Sequence, residues 1–401
     1  MSDGEWQMSE AEAIDSLEQW VRTGWLVDGR GGPVQKDLCL GLRDGRIAAI
    51  GPARPDMKAA IDLSHATVLP ALMDAHVHLV FSGTTDECLR AAQLTFTPDQ
   101  ARLAIISHLH DHWHCGVVAV RDGGDRQGVV LAFRAQRPVE VKATCWAWHA
   151  QGRYGAMIGR SPSAGTPPAE AIAEHLAGSD HVKLIQSGIN SLDRFGDQGS
   201  PQFCEEDLRV ITEAAHAARK PVMVHANGEV AVRMAIAAGC DSIEHGYFMG
   251  EENLRRMADC GVFWVPTVIP MAALAQAPGL SVTQQEVARR TVEHQLAQIH
   301  KAHKLGVAIV LGTDAGSQGV DHGPAVRQEL KLLLSAGLGL EAGVRCATSQ
   351  AARLLGWEDR GELVPGRRAD FLVVNGPPER LPESLAEIEA MCFAGQWVKP
   401  L

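Results

Sequence analysis

Two histidine motifs compete for the role of metal ligand in this sequence. Residues 108–114 read HLHDHWH, four histidines at alternate positions with Asp111 and Cys115 close by, while His76 and His78 stand in the quieter stretch MDAHVHL. The louder motif belongs to TPDQARLAIISHLHDHWHCG, which has a threonine cap, Pro98 at the first helical position and helical spacing up to Gly116. Alternate residues on a helix diverge by about 200°, so the four rings do not converge on one ion. Only His108 with His112, and His110 with His114, share a face. The cluster is expected to be a polar helix face away from the chemistry, with adventitious surface zinc binding as its one metal role.

The H-x-H pair reads differently. Residues two apart on a strand point to the same side, about 6.6 Å apart along the chain, so His76 and His78 project together from the end of an apolar run. An isolated pair of this kind is more often solvated. Here further chemistry-bearing residues sit at or near the ends of other apolar runs: Lys183 in HVKLIQ, His225 in PVMVHA, His245 in DSIEHG and Asp314 in VAIVLGTDA. Imidazole and carboxylate ligands suit zinc best, and also accommodate manganese, cobalt or iron.

Bringing these side chains together requires strands that end side by side. Apolar runs at 67–79, 117–122, 139–146, 181–186, 221–226, 241–246, 262–267 and 307–315 predict eight strands, and amphipathic stretches such as 205–219 and 228–239 predict helices between them. This alternation predicts an α/β fold, a (β/α)8 TIM barrel, whose enzymes place their chemistry at the C-terminal strand ends. An open doubly wound sheet is the alternative, and no nucleotide-binding glycine motif follows the first strand to favour it. GWLVDGRGGPVQKDLCLGLRDGRIAAIGP near the start, and GELVPGRRADFLVVNGPP with IEAMCFAGQWVKP near the end, read as short strands broken by glycine turns.

The ordered set of motifs resembles the amidohydrolase superfamily over almost the full chain. LPALMDAHVHL resembles its first barrel strand, with Ala71 where glycine is more usual; VHANG, SIEHG and LGTDAG resemble its fifth, sixth and eighth strand motifs. GELVPGRRADFLVV is similar to the segment returning such chains to a small β-sandwich shared with the N-terminal strands. The resemblance implies a sandwich from residues 1–66 and 355–401 around a barrel at 67–354. It also implies two divalent metal ions, one held by His76, His78 and Asp314 and the other by His225 and His245. Lys183, in a VKLIQSG stretch similar to that of the carboxylated-lysine branch, would bridge them after reacting with CO2. An unmodified ammonium has donors only and would repel cations, whereas a carbamate offers two oxygens and a negative charge.

The chemistry so implied is hydrolysis of a C–N bond by a hydroxide bridging the metals, with Asp314 as ligand and general base. Within the superfamily the chain looks most like the Xaa-Pro dipeptidase-like and imidazolonepropionase-related branch. Asn227 stands where dipeptidase-like members often carry histidine, which leaves amide, peptide, carbamate or urea substrates open. A lactonase or phosphotriesterase, a one-metal deaminase or cyclic amidohydrolase, and a non-catalytic scaffold are the rivals. Gly228 replaces the acidic group expected of the deaminases, and the scaffold reading conflicts with a full ligand set.

Secondary candidates follow the strands. CWAWHAQGRYG places Trp146, Trp148, His149 and Tyr154 after strand three, with His149 the best placed to polarise a carbonyl. Tyr247 is two residues past His245, and His322 lies in the loop after Asp314. Arg153 and Arg194 could meet a substrate carboxylate. Packing for the tryptophans, and solvation for the arginines, are the competing readings.

The formal net charge of −11 over 401 residues argues against a nucleic-acid partner. A small-molecule substrate is expected, with a homo-oligomer left open. The N-terminal stretch MSDGEWQMSEAEAIDSLEQW has no apolar core of a secretory signal, and no run reaches the ~18 apolar residues of a membrane helix. Nine scattered cysteines without a C-x-x-C pair suggest a reducing cytoplasm.

Overall fold

The computed structural model describes residues 7–8, 19–53, 61–134 and 139–398. The acidic N-terminal stretch lies almost wholly outside them. Two compact units emerge, one from residues up to 73, 113–118 and 339 onward, the other from 74–112 and 119–338.

In the first unit the terminal strands pair into one continuous eight-stranded sheet where a sandwich is expected from the sequence. Its order is Gln7–Met8, Arg46–Pro52, Gln35–Arg43, Gln19–Leu26, Ile61–Pro70, Phe371–Asn375, Ile388–Phe393 and Gln396–Val398. Neighbours run antiparallel, except that Gln19–Leu26 pairs parallel with Ile61–Pro70. Leu26, Leu40, Ile47, Val68, Phe371 and Val373 are among the buried residues of its core. Removing such side chains from water stabilises by about 1.5–3 kcal/mol each.

Parallel strands organise the second unit. They form over Leu72–Val77 and Val117–Asp122, whose first two residues belong to the first unit, and over Glu140–Lys142, Val182–Ile185, Val222–Gly228, Ser242–Phe248 and Phe263–Val265, each overlapping an apolar run expected to be a strand. Most are buried along their whole length, which explains why they read as continuous apolar runs rather than alternating ones. The third run breaks after Lys142 and resumes at Ala147–Trp148, which pairs with Lys183 and Leu184. The eighth run makes isolated bridges: Ile309 pairs with Trp264, and Ala315 with Val77.

Helices between these strands begin and end on recognisable signals. Thr97 accepts from the Gln100 amide and so caps Pro98–His114. Ser281 and Gln284 form a reciprocal capping box at the start of Val282–Leu305, which ends on left-handed Gly306. No helix among the described residues is long and apolar enough to cross a membrane. Cys39, Cys145, Cys240, Cys346 and Cys392 are buried, and all nine cysteines are free thiols.

Candidate metal centre

Strand alternation carries Asp74, His76 and His78 to one face of the first strand of the second unit. His76, His78 and Asp314 offer ligand atoms that all lie within 4.8 Å of one another. Asp314 Oδ1 is 3.5 Å from His76 Nε2 and 3.4 Å from His78 Nε2. The His225 and His245 rings lie 4.5 Å apart, and His76 is 5.1 Å from His245. Lys183 is buried among these groups, and its Nζ has no hydrogen-bond partner. All six residues line a cavity of about 580 Å³.

Each histidine has one ring nitrogen engaged and the other left over. His76 Nδ1 donates to Glu244 Oε2 at 2.8 Å, leaving Nε2 buried without a hydrogen-bond partner. His78 Nδ1 donates to the Gly124 carbonyl, and His225 Nε2 to that of Gly188. His245 Nδ1 pairs with Thr267 Oγ1 at 2.7 Å. Fixing one nitrogen sets the tautomer and aims the lone pair of the other, as metal-binding histidines require. Burial, reinforced by the Lys183 ammonium, pushes His78 down to about 4 and His225 to about 3, so both are neutral at neutral pH. Burial also lowers Lys183, and it raises the Asp314 carboxyl.

Behind this layer lies a set of buried polar groups. Arg121 donates to Glu244 Oε1 at 2.8 Å, to Ser242 Oγ and to the Ala75 carbonyl. Asp74 accepts from the Thr313 amide and hydroxyl and from the His76 amide, tying the first strand to the Asp314 segment. Two of the six residues sit on left-handed backbone, His245 at φ 67° and Asp314 at φ 56°. For a residue with a side chain this costs about 1–3 kcal/mol and persists only where the surroundings enforce it. Here Trp264 Nε1 and Gln295 Nε2 both donate to the His245 carbonyl, and the Asp314 amide donates to that of His76 at 2.7 Å. At Gly123 a Cβ would come within 2.6 Å of His78 Cε1, so the ring occupies space only glycine leaves.

Residues 67–399 match the amidohydrolase family. The chain belongs to this family, hydrolases of carbon–nitrogen bonds. It is 30% identical over 207 residues to ochratoxinase from Aspergillus niger, covering 50% of this chain and 42% of that enzyme. It is 24% identical to imidazolonepropionase from Salinispora arenicola, over 91% of this chain and 92% of the relative. A Xaa-Pro dipeptidase solved with methionine in its active site superposes with a TM-score of 0.79 at 25% identity, covering 95% of this chain and 99% of the other. The His-His-Asp group is thus the metal group of a metal-dependent amidohydrolase.

Among the secondary candidates, this amidohydrolase brings Tyr154, Asn227 and Tyr247 to the cavity. Tyr247 stacks on His245 at 5.9 Å and donates its hydroxyl to the Thr267 carbonyl; Tyr154 lies 5.7 Å from His225. Asn227 donates to the Gly188 carbonyl, the acceptor shared with His225.

Others lie elsewhere. His149 donates Nδ1 to the Ala150 carbonyl and lines a separate hollow with Arg126 and Arg160. Trp146 and Trp148 pack on each other and on His175, with the Arg160 guanidinium 4.0 Å above Trp146. Neither tryptophan lines the cavity, although Tyr154 of the same segment does. Arg153 bonds to Ser200 and Arg194 is exposed, and neither lines the cavity. His322 is buried against Phe81 rather than open to substrate.

The histidine-rich helix departs from its expected polar character. Only His110 faces solvent fully and His114 in part, whereas His108 and His112 are buried. The i, i+4 pair on the inner face packs against His322.

Sequence reasoning missed the groups that support the ligands. Glu244 precedes His245, and strict alternation would point it to the opposite face; the left-handed turn at His245 breaks that rule. Asp74 carried a signal, since it shares the strand face of His76 and His78. Arg90 and the apolar wall of Met157, Ile189, Leu192, Met271 and Leu274 also line the cavity.

Proposed function

We propose that this amidohydrolase is a binuclear enzyme that hydrolyses an amide-type C–N bond of a small molecule. His76, His78 and Asp314 would hold one metal ion, His225 and His245 the other, and a carboxylated Lys183 would serve both. The observation that carries this reading is the Lys183 amine, buried among those ligands without a hydrogen bond. A buried ammonium left unpartnered is costly. In the proposed modification the neutral amine forms a bond to the carbon of CO2 and releases a proton to solvent. The product is an anion with two oxygens where two cations need a bridge. Imidazole and carboxylate ligands favour zinc.

Two bound ions supply an acidified water and polarise the scissile carbonyl. The Asp314 carboxylate would take the proton of the attacking water and pass it to the leaving nitrogen. Its Oδ2 accepts from Ser317 Oγ at 2.9 Å, which fixes the orientation of the carboxylate. Tyr247 and Tyr154 border the ligands and orient the substrate. A cavity of about 580 Å³ is the size of a small-molecule site, and its apolar wall favours a substrate with an apolar group beside the scissile bond.

We read the parallel strands as arcs of one (β/α)8 barrel. The backbone bonds from 308–315 to both Trp264 and residues 75–78 support closure. The nine free thiols support a reducing cytoplasm. Screening zinc-loaded protein against dipeptides, N-acyl amino acids, carbamates, ureas and lactones tests the activity. Turnover of an amide-type member supports the proposal, and turnover confined to lactones contradicts it.

A further inference from the structure

The buried half of the histidine-rich helix meets the loop that carries His78. His108 Nδ1 donates to the Leu79 carbonyl at 2.9 Å, and His322 Nε2 donates to the Phe81 carbonyl at 2.8 Å. Because the His322 proton sits on Nε2, its Nδ1 keeps a lone pair and accepts from His112 Nε2 at 3.1 Å. The His322 ring also stacks on His108, with centroids 4.1 Å apart and planes 20° from parallel. All three imidazoles are at least nine-tenths buried.

We propose that His108, His112 and His322 are positioning residues that lock the loop after the metal ligand His78. The loop is short and tightly bonded: the Phe81 amide donates to the His78 carbonyl at 3.0 Å, and the Leu79 amide to Asp122 Oδ2 at 2.7 Å. Carbonyls 79 and 81 are therefore held by histidine donors, His108 from the helix and His322 from the loop after Asp314, while the His78 amide is held by the Ala315 carbonyl at 2.8 Å. Releasing either carbonyl lets residues 79–81 shift and carries the His78 imidazole away from Asp314. Phe81 also lines the cavity, so the same lock sets part of the substrate wall.

This inference rests on the metal-centre reading, and its test is zinc affinity by chelator competition rather than turnover. The amide nitrogen of glutamine falls near a histidine Nε2, and that of asparagine near Nδ1. His322→Gln thus keeps the donor to Phe81, whereas His322→Asn removes it. His108→Asn keeps the donor to Leu79, whereas His108→Gln displaces it. The expected result is affinity within about threefold of wild type for the donor-keeping variants. The other two should lose about 10–100-fold, the range typical of groups that orient metal ligands. If the His322 pair does not fold, the His108 pair reads the same loop. Equal affinity in wild type and all variants, or equal loss within each pair, would overturn the inference. Wild-type protein that takes up no zinc would overturn the metal-centre reading and this inference with it.

Discussion

Asp314 has two duties in the proposed chemistry, and one substitution separates them. Asp314→Asn keeps the shape and one ligand oxygen but removes the basic carboxylate. General acid–base transfer contributes typically about 10²–10⁴-fold, so turnover should fall at least that far in single-turnover and steady-state assays. The His225–His245 ion should stay bound, because its ligands are untouched; full turnover in the variant would assign the proton to another group. His149, which the sequence suggested for polarising a carbonyl, lines a different hollow. Gly123→Ala makes a second residue-scale test. Its Cβ would meet His78 Cε1 at 2.6 Å and displace the ring, so zinc affinity should drop about tenfold or more while the fold survives. Unchanged affinity would mean that the loop yields without cost.

At the scale of elements, much of the site was legible because chemistry follows strand ends. The apolar runs located the strands, and the H-x-H spacing put two rings on one face. The eighth run was read as a strand but makes only isolated bridges, because residues 308–315 pair at single positions with two neighbours. CWAWHAQGRYG brings Tyr154 to the cavity but not its tryptophans. Its strand breaks and resumes at Ala147–Trp148, turning the tryptophans into packing rather than cavity wall. Glu244 and the left-handed turns at His245 and Asp314 could not be read from periodicity, since they depart from it. The histidine-rich helix was half legible: i, i+4 pairing was correct, but periodicity does not say which pair a helix buries. That pairing now gives an element-scale expectation. Replacing exposed His110 and half-buried His114 with Gln should leave zinc affinity unchanged, in contrast to the inner pair. Equal loss from both faces would contradict this division.

Buried imidazoles also set how the whole molecule responds to acid. Burial lowers His76, His108, His181, His245 and His322, and pushes His78 to about 4, with His112 and His225 near about 3. Unfolded, each protonates near the ordinary value of 6.5, so between about 6.5 and 4 the unfolded chain binds more protons and stability falls as pH falls. Carboxylates raised by the same burial act in the opposite sense: Asp74 and Asp122 at about 7, Glu329 at about 8, and Asp314. They are outnumbered by the histidines. The thermal midpoint of chelator-treated protein should therefore fall from pH 7 to pH 5, and a rise would contradict this balance. The central claim, two ions bridged through Lys183, is tested most directly by metal stoichiometry. Wild-type protein purified with zinc, without chelators and in bicarbonate should carry two equivalents per chain by elemental analysis. Lys183→Met, which fills the same buried space without an amine, should carry one or fewer. A single equivalent in wild type, undiminished by Lys183→Met, would contradict the account.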